Sequence, residues 1–325
     1  MESNIKVALT GGTGQISYNV IFALANGDAF GPEVKLDLRI YDIDGTLSML
    51  KGILMEIEDG AYPLIEKVSC SNDLREVFDQ VDVALLIGAL PRTVGMERKD
   101  LLFANKSIFA FQGKVLNEVA NKDVKVFVVG NPANTNCLIA IHNSPSLNPK
   151  NFHSLMRLDQ NRMHSILAKK ARASLEDVKR IIVWGNHSLT QVPDYTQAII
   201  KNISAQDYIN DSNWFEQELI PVVQKRGAEI LQARGKSSSA SAARALICAI
   251  RSLFCIKKDE IFSSGVLSTG NPYGITDNLV FGFPCRALGR GEYEIVSELE
   301  LSDKIYDKIR ITEQELIEER SLANV

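Results

Sequence analysis

Hydrophobic and polar positions alternate in two ways along the first half of the chain. Ile5-Lys6-Val7-Ala8-Leu9 and Lys35-Leu36-Asp37-Leu38-Arg39-Ile40-Tyr41 are short, and the second has period two. Val81–Ile87 and Val124–Val129 are further β-rich runs. Helical stretches separate the four, which predicts βαβ units and an α/β fold: a doubly wound parallel sheet covered on both faces. Around Asn143–Asn151 the chain turns polar, with Pro145 and Pro149. A boundary there divides it into residues 1–152 and 153–325. The second part reads as α+β, with helices over 213–233 and 237–254 and a strand-rich, Gly- and Pro-containing stretch over about 264–300. A last helix is expected from Thr312, where Thr312 and Glu315 match a capping box. In the helical segment Thr46–Glu58, Leu47, Leu50, Leu54 and Ile57 mark one face and Met49 and Ile53 widen it. A stripe that wide predicts burial on two sides.

Length and composition narrow the classes. The 325 residues allow about two domains. With 45% hydrophobic and 23% charged residues the balance is globular. Lys and Arg number 36 against 40 Asp and Glu, a net charge of −4, which argues against a nucleic-acid binder. No apolar run approaches the ~20 residues of a membrane helix. Met1-Glu2-Ser3-Asn4 has no signal-peptide character. The five cysteines are widely spaced without a CxxC, so buried thiols in a reducing cytoplasm are expected.

Gly11-Gly12-Thr13-Gly14-Gln15-Ile16-Ser17 follows the first strand and opens a helix. Glycines there permit a tight turn and close approach of a pyrophosphate, which free N–H groups at the helix start then bind. The second strand ends at Asp42, where a carboxylate accepts both hydroxyls of an adenosine ribose and repels a 2′-phosphate. The pair points to NAD rather than NADP. There is no phosphate-loop lysine motif, and none of the eight tyrosines has a lysine four positions on, which argues against a short-chain dehydrogenase.

Four further groups carry chemistry. Pro91-Arg92-Thr93-Val94-Gly95-Met96-Glu97-Arg98-Lys99 follows the third of these strands, at the sheet edge where ligands bind, and guanidinium forks match carboxylates. Val129-Gly130-Asn131-Pro132-Ala133-Asn134 ends another strand; Asn131 either presents a donor and an acceptor to a ligand or belongs to a turn. Asp159 and Arg162, three apart, share a helix face, and a local ion pair is the default. Ile181–Trp184 delivers His187 into a Gly185-Asn186 loop. The other three histidines, His142, His153 and His164, lie in loop or helical contexts and read as structural. No metal-ligand spacing surrounds His187, so no metal is expected.

Together these segments resemble malate dehydrogenase of the cytosolic-like, dimeric branch of the lactate/malate dehydrogenase superfamily. The resemblance covers nearly the whole chain. Its most specific parts are Thr10–Ile16, Gly95–Leu102, Gly130–Asn136, Arg157–Asp159 with Asn161-Arg162, and Trp184–Ser188. It implies a Rossmann sheet of order 3-2-1-4-5-6 with a C-terminal α+β substrate domain, the cofactor NAD, malate and oxaloacetate as substrates, a cytoplasmic homodimer and a place in the tricarboxylic acid cycle. It also implies roles. Gly11, Gly12, Thr13, Gly14, Gln15, Ile16 and Ser17 wrap the pyrophosphate, and Asp42 holds the ribose. Asn105, Gln112, Val129, Gly130 and Asn131 hold the nicotinamide half. His187 is the acid/base, oriented by Asp159. Arg162 grips the carboxylate beside the reacting carbon, Arg98 polarises the carbonyl, and Arg92 reads the distal carboxylate. Asn131 also touches substrate, and Ser241 lines the pocket. Lactate dehydrogenase shares the fold and the His–Asp pair, but its distal-position residue is typically neutral, whereas Arg92 is charged. Three departures stand out: Ser17 where Gly or Ala is usual, Gln160 where the family often has His, and Thr93-Val94 in the lid.

Overall fold

The computed structural model describes residues 4–91 and 98–325, without the side chain of Arg98. Arg92, the Arg98 side chain and the lid positions Thr93 to Glu97 therefore lie outside the described residues.

The first half alternates as the pattern predicts. Its elements are β1 (Asn4–Thr10), α1 (Gln15–Ala25), β2 (Lys35–Tyr41), α2 (Leu47–Asp59), β3 (Ile65–Ser71), α3 (Leu74–Phe78), β4 (Val83–Leu86), α4 (Arg98–Val119), β5 (Lys125–Val128), α5 (Ala133–His142) and β6 (Phe152–Ser154). The six strands run parallel in the order β3-β2-β1-β4-β5-β6. Val7, Ala8 and Leu9 of the central strand are fully buried, as are all four residues of β4, because helices cover both faces.

The second half comprises α6 (Arg157–Ala171), β7 (Val178–Lys179), β8 (Ile182–Trp184), β9 (Val192–Asp194), β10 (Ile199–Ile200), β11 (Ile203–Ser204), α7 (Ala205–Ile209), α8 (Ser212–Trp214), α9 (Ile220–Arg234), α10 (Ala240–Phe254), β12 (Phe262–Leu267), β13 (Val280–Gly289), β14 (Glu292–Ile295) and α11 (Asp303–Ala323). Its three long strands extend the same sheet. β12 joins β6 antiparallel through Gly265 opposite Ser154, and β13 and β14 follow antiparallel. A Cβ at Gly265 would lie 1.8 Å from Ser154 Oγ, so a larger residue at this junction would force Ser154 to move. Helix α10 packs on α1, with Ala242, Leu246 and Ile250 in one cluster with Val20, Ile21 and Leu24. That packing sets the start of α10 against the glycine turn.

Several expectations need correction. The last helix starts at Asp303, capped by the Ser302 side chain, which accepts from Ile305 N–H. Thr312 is buried in mid-helix and Glu315 faces a loop, so the capping-box match there is coincidental. The stretch 213–233 is helical throughout, with α8 and α9 joined through a five-residue π-turn (Phe215–Leu219) just before Pro221. Helix α2 buries Leu50, Ile53 and Ile57 but leaves Leu47, Met49 and Met55 exposed, so within one chain it is covered on one side only. His153 lies in strand β6, stacked on Phe127, and Cys70, Cys248 and Cys255 are half-buried while Cys137 and Cys285 are buried. Among the described residues no helix is long and apolar enough to cross a membrane.

Candidate active site

The glycine turn is built by backbone contact. Gly11 has φ +69°, and a Cβ there would stand 2.6 Å from Gly88 Cα at the end of β4. A Cβ on Gly12 would strike Ile40 and Leu50. Thr10 Oγ1 ties the two strand ends by accepting from Ile87 N–H (3.1 Å) and Gly88 N–H (3.0 Å). Helix α1 then opens at Gly14 with no side-chain cap and no acidic residue in its first turn, which leaves its N–H groups for an anion. Ser17, buried, donates to Thr10 O at 3.3 Å, so its hydroxyl is accommodated rather than clashing.

Asp42 is 8% exposed at the tip of β2. Its Oδ2 accepts from Thr13 N–H (2.8 Å) and Oγ1 (2.6 Å), and its Oδ1 from Ile43 N–H (2.8 Å). A carboxylate has about four acceptor positions, so these three donors fix Asp42 beside the glycine turn with capacity left. The cradle fits a dinucleotide with an unmodified ribose.

At the end of β5, Gly130 packs under Phe109 and Ala89, where a Cβ would come within 2.7 Å of both. Asn131 is exposed and its peptide to Pro132 is cis. Buried Asn105 does not point freely outward. Its Oδ1 accepts from Leu90 N–H (2.8 Å), and its Nδ2 donates to Leu90 O and Asn131 O (3.0 Å). It clamps two strand-end loops together. Gln112, also on α4, is buried with Oε1 unpartnered among the described residues.

The centre lies where α6 meets the β8–β9 loop. Asp159, in the first turn of α6, is fully buried. His187 Nδ1 donates to its Oδ2, and Arg162 Nη1 donates to its Oδ1 at 2.9 Å. Burial pushes the Asp159 carboxyl up, but the facing His187 and Arg162 outweigh it and hold the group below the usual carboxylate range. With Nδ1 engaged by Asp159, Nε2 is the ring nitrogen that Asp159 does not use. Arg162 Nη2 reaches Ser238 Oγ at 3.4 Å, three residues before Ser241, which sits exposed in the first turn of α10. No described contact joins Ser241 or Gln112 to this group.

Several residues that build the centre escaped sequence reasoning. Asn134 Oδ1 accepts from His187 N–H at 3.0 Å, and its Nδ2 donates to Gly185 O and Val280 O. Gln191 lies against Asp159 and adds, after His187 and Arg162, to holding its carboxyl low. Gln160 donates to Ile181 O and accepts from Ser263 N–H (2.9 Å), a use of the amide's two ends that ties α6 to the strand feeding His187. The only sequence signal for Asn134 is its place in the Asn131–Asn134 motif, and for Gln160 its standing where the resemblance leads one to expect His; Gln191 carries none.

A doubly wound sheet with a glycine cradle at its first strand, in a chain that also pairs a buried carboxylate with an imidazole, is the architecture of a dinucleotide-dependent dehydrogenase. Residues 5–153 match the lactate/malate dehydrogenase NAD-binding domain, and residues 156–323 match the lactate/malate dehydrogenase α/β C-terminal domain. The chain belongs to the lactate/malate dehydrogenase family. It is 54% identical over 317 residues to the malate dehydrogenase of Chlamydia pneumoniae, covering 98% of this chain and 97% of that one. Among solved structures it resembles the malate dehydrogenase of Naegleria fowleri (TM-score 0.95, 37% identity, 99% and 98% of the chains). It also resembles the Trichomonas vaginalis lactate dehydrogenase in complex with NADH and oxamate (TM-score 0.94, 35% identity, 98% of each chain).

Proposed function

We propose that the protein catalyses the reversible oxidation of malate to oxaloacetate with NAD. The observation that carries this is the buried Asp159 holding His187 and Arg162 at once, beside an NAD-binding domain. The 54% identity to a malate dehydrogenase supports the choice of substrate, and so does the charge of Arg92. Bound NAD supplies the hydride acceptor. Gly11 to Ser17 bind its pyrophosphate, Asp42 the adenosine ribose, and Val129 to Asn131 with Gln112 the nicotinamide end, with Asn105 setting the turn. His187 Nε2 takes the malate hydroxyl proton, and Asp159 stabilises the resulting imidazolium. Arg162 holds the carboxylate next to the reacting carbon. Arg98 polarises the carbonyl, and Arg92 pairs with the distal carboxylate as the lid excludes water. Asn131 and Ser241 complete the pocket.

The same reading assigns residues 1–152 to cofactor and 153–325 to substrate. It also includes a cytoplasmic homodimer with a role in the tricarboxylic acid cycle. The apolar Leu47, Met49 and Met55 left exposed on α2 support the dimer. Lactate dehydrogenase activity is the second reading, favoured by the equally close fold of the Trichomonas enzyme. Following NADH absorbance at 340 nm with oxaloacetate, pyruvate or neither decides between them. Turnover of oxaloacetate alone supports the first, preference for pyruvate the second, and neither would remove both.

A further inference from the structure

The loop that carries His187 is held from behind by the last helix. Gly185 has φ +92°, and Thr312 of α11 fills the space over it, 2.3 Å from where a Cβ would be. Thr312 Oγ1 accepts from Asn186 N–H at 2.9 Å. One turn on, Glu315 Oε2 gathers three donors from the same loop: Asn186 Nδ2 (2.8 Å), Thr190 Oγ1 (2.6 Å) and the Ser188 hydroxyl. Glu319 Oε1 accepts from Asn186 Nδ2 at 3.1 Å, and its Oε2 accepts from Thr135 on α5. Asn186 and Ser188 flank His187 directly. One carboxylate oxygen therefore fixes the residues on both sides of the imidazole-bearing residue. His187 N–H itself is held from the opposite side by Asn134.

We propose that Glu315 is a positioning residue for His187. It touches neither substrate nor cofactor. By holding Asn186, Ser188 and Thr190 at one point, it presets the loop so that the imidazole meets Asp159 on one side and substrate on the other. Charged acceptors form the stronger hydrogen bonds, which suits a loop that must stay in place while a proton moves through its side chain. The cofactor cradle lies on β1, β2 and α1, so its affinity is independent of this clamp. The proposal rests on His187 being the acid/base.

The test compares Glu315→Ala and Glu315→Gln in the full-length protein. Glu315→Ala should lower kcat for oxaloacetate reduction about ten- to hundredfold, as expected for a small misplacement of a catalytic group. NADH affinity, read by fluorescence titration, should stay unchanged. The deuterium isotope effect on hydride transfer should rise as chemistry becomes more rate-limiting. Glu315→Gln, whose amide oxygen can accept the same three donors, should regain most of the rate. Should Glu315→Ala fail to fold, Ser188→Ala with Thr190→Val removes two of the donors from the other side and should give the same pattern. Wild-type kcat in a folded Glu315→Ala protein would overturn the proposal. So would a loss of rate matched by an equal loss of NADH binding, which marks general loosening. If His187→Asn were itself active, the acid/base assignment would fail first, and the two failures are distinguishable.

Discussion

Arg162 Nη1 donates to Asp159 Oδ1 at 2.9 Å, on the carboxylate oxygen that His187 leaves unused. The group assigned to grip substrate and the group assigned to move the proton thus share one buried anion. Asp159→Asn should therefore damage both: kcat should fall roughly 10²–10⁴-fold through the imidazole, and KM for oxaloacetate should rise through Arg162. Steady-state kinetics separate the two effects. A lowered kcat at unchanged KM would show that Arg162 does not depend on Asp159.

The proposed reader of the adenosine ribose is Asp42, fixed by Thr13 beside the cradle. NADH should bind far better than NADPH, because a 2′-phosphate would meet a carboxylate. Asp42→Gly should narrow the gap between them without changing the chemical step. Equal affinity of the wild-type protein for both cofactors in a titration would contradict the assignment.

The proposed partner of the distal carboxylate is Arg92. Removing one partner of a buried charge pair costs roughly 2–5 kcal/mol, or about 30- to several thousand-fold in specificity. Arg92→Gln should lower kcat/KM for oxaloacetate and raise it for pyruvate, since Gln leaves no unpaired charge in a closed pocket. Arg98→Gln should lower both substrates together if, as proposed, it acts on the carbonyl they share. Equal losses in Arg92→Gln would make Arg92 a general lid residue.

Acid sensitivity should come partly from His153, away from the active site. Burial first, and then the charge of Lys125, push its pKa down to about 3. The unfolded chain takes up the proton near 6.5 while the folded one does not, so stability falls as pH drops from about 6.5 toward 3, by at most about 1.4 kcal/mol per pH unit. Urea midpoints between pH 7 and pH 5 should fall for the wild type and fall less for His153→Asn. Some slope will remain from His164, whose pKa burial also lowers. An identical slope in both proteins would remove His153 as the cause.

The elements readable from sequence were those whose cause is local. β1 and β2 match their runs residue for residue or nearly so, and the Gly11–Ser17 and Asp42 positions sit at the strand ends that periodicity implies. Edge strand β3, with Ile65-Glu66-Lys67-Val68, lacks a buried face strong enough to stand out. The support of the site is non-local. Asn186 and Glu315 are 129 positions apart, and no spacing rule connects them. Thr312 and Glu315 even imitated a helix start, because the hydroxyl and carboxylate that suit a cap also suit a clamp on a distant loop. Gln160 has both ends of its amide bonded, one to Ile181 and one to Ser263, a role visible only in three dimensions.

The central claim is that His187, oriented by Asp159, moves the proton while NAD takes the hydride. His187→Asn tests it most directly, measured by kcat for oxaloacetate reduction alongside NADH binding by fluorescence. Turnover should fall roughly 10²–10⁴-fold with NADH affinity nearly intact, since the cradle lies on other elements. A loss of less than about tenfold would mean that another residue carries the proton.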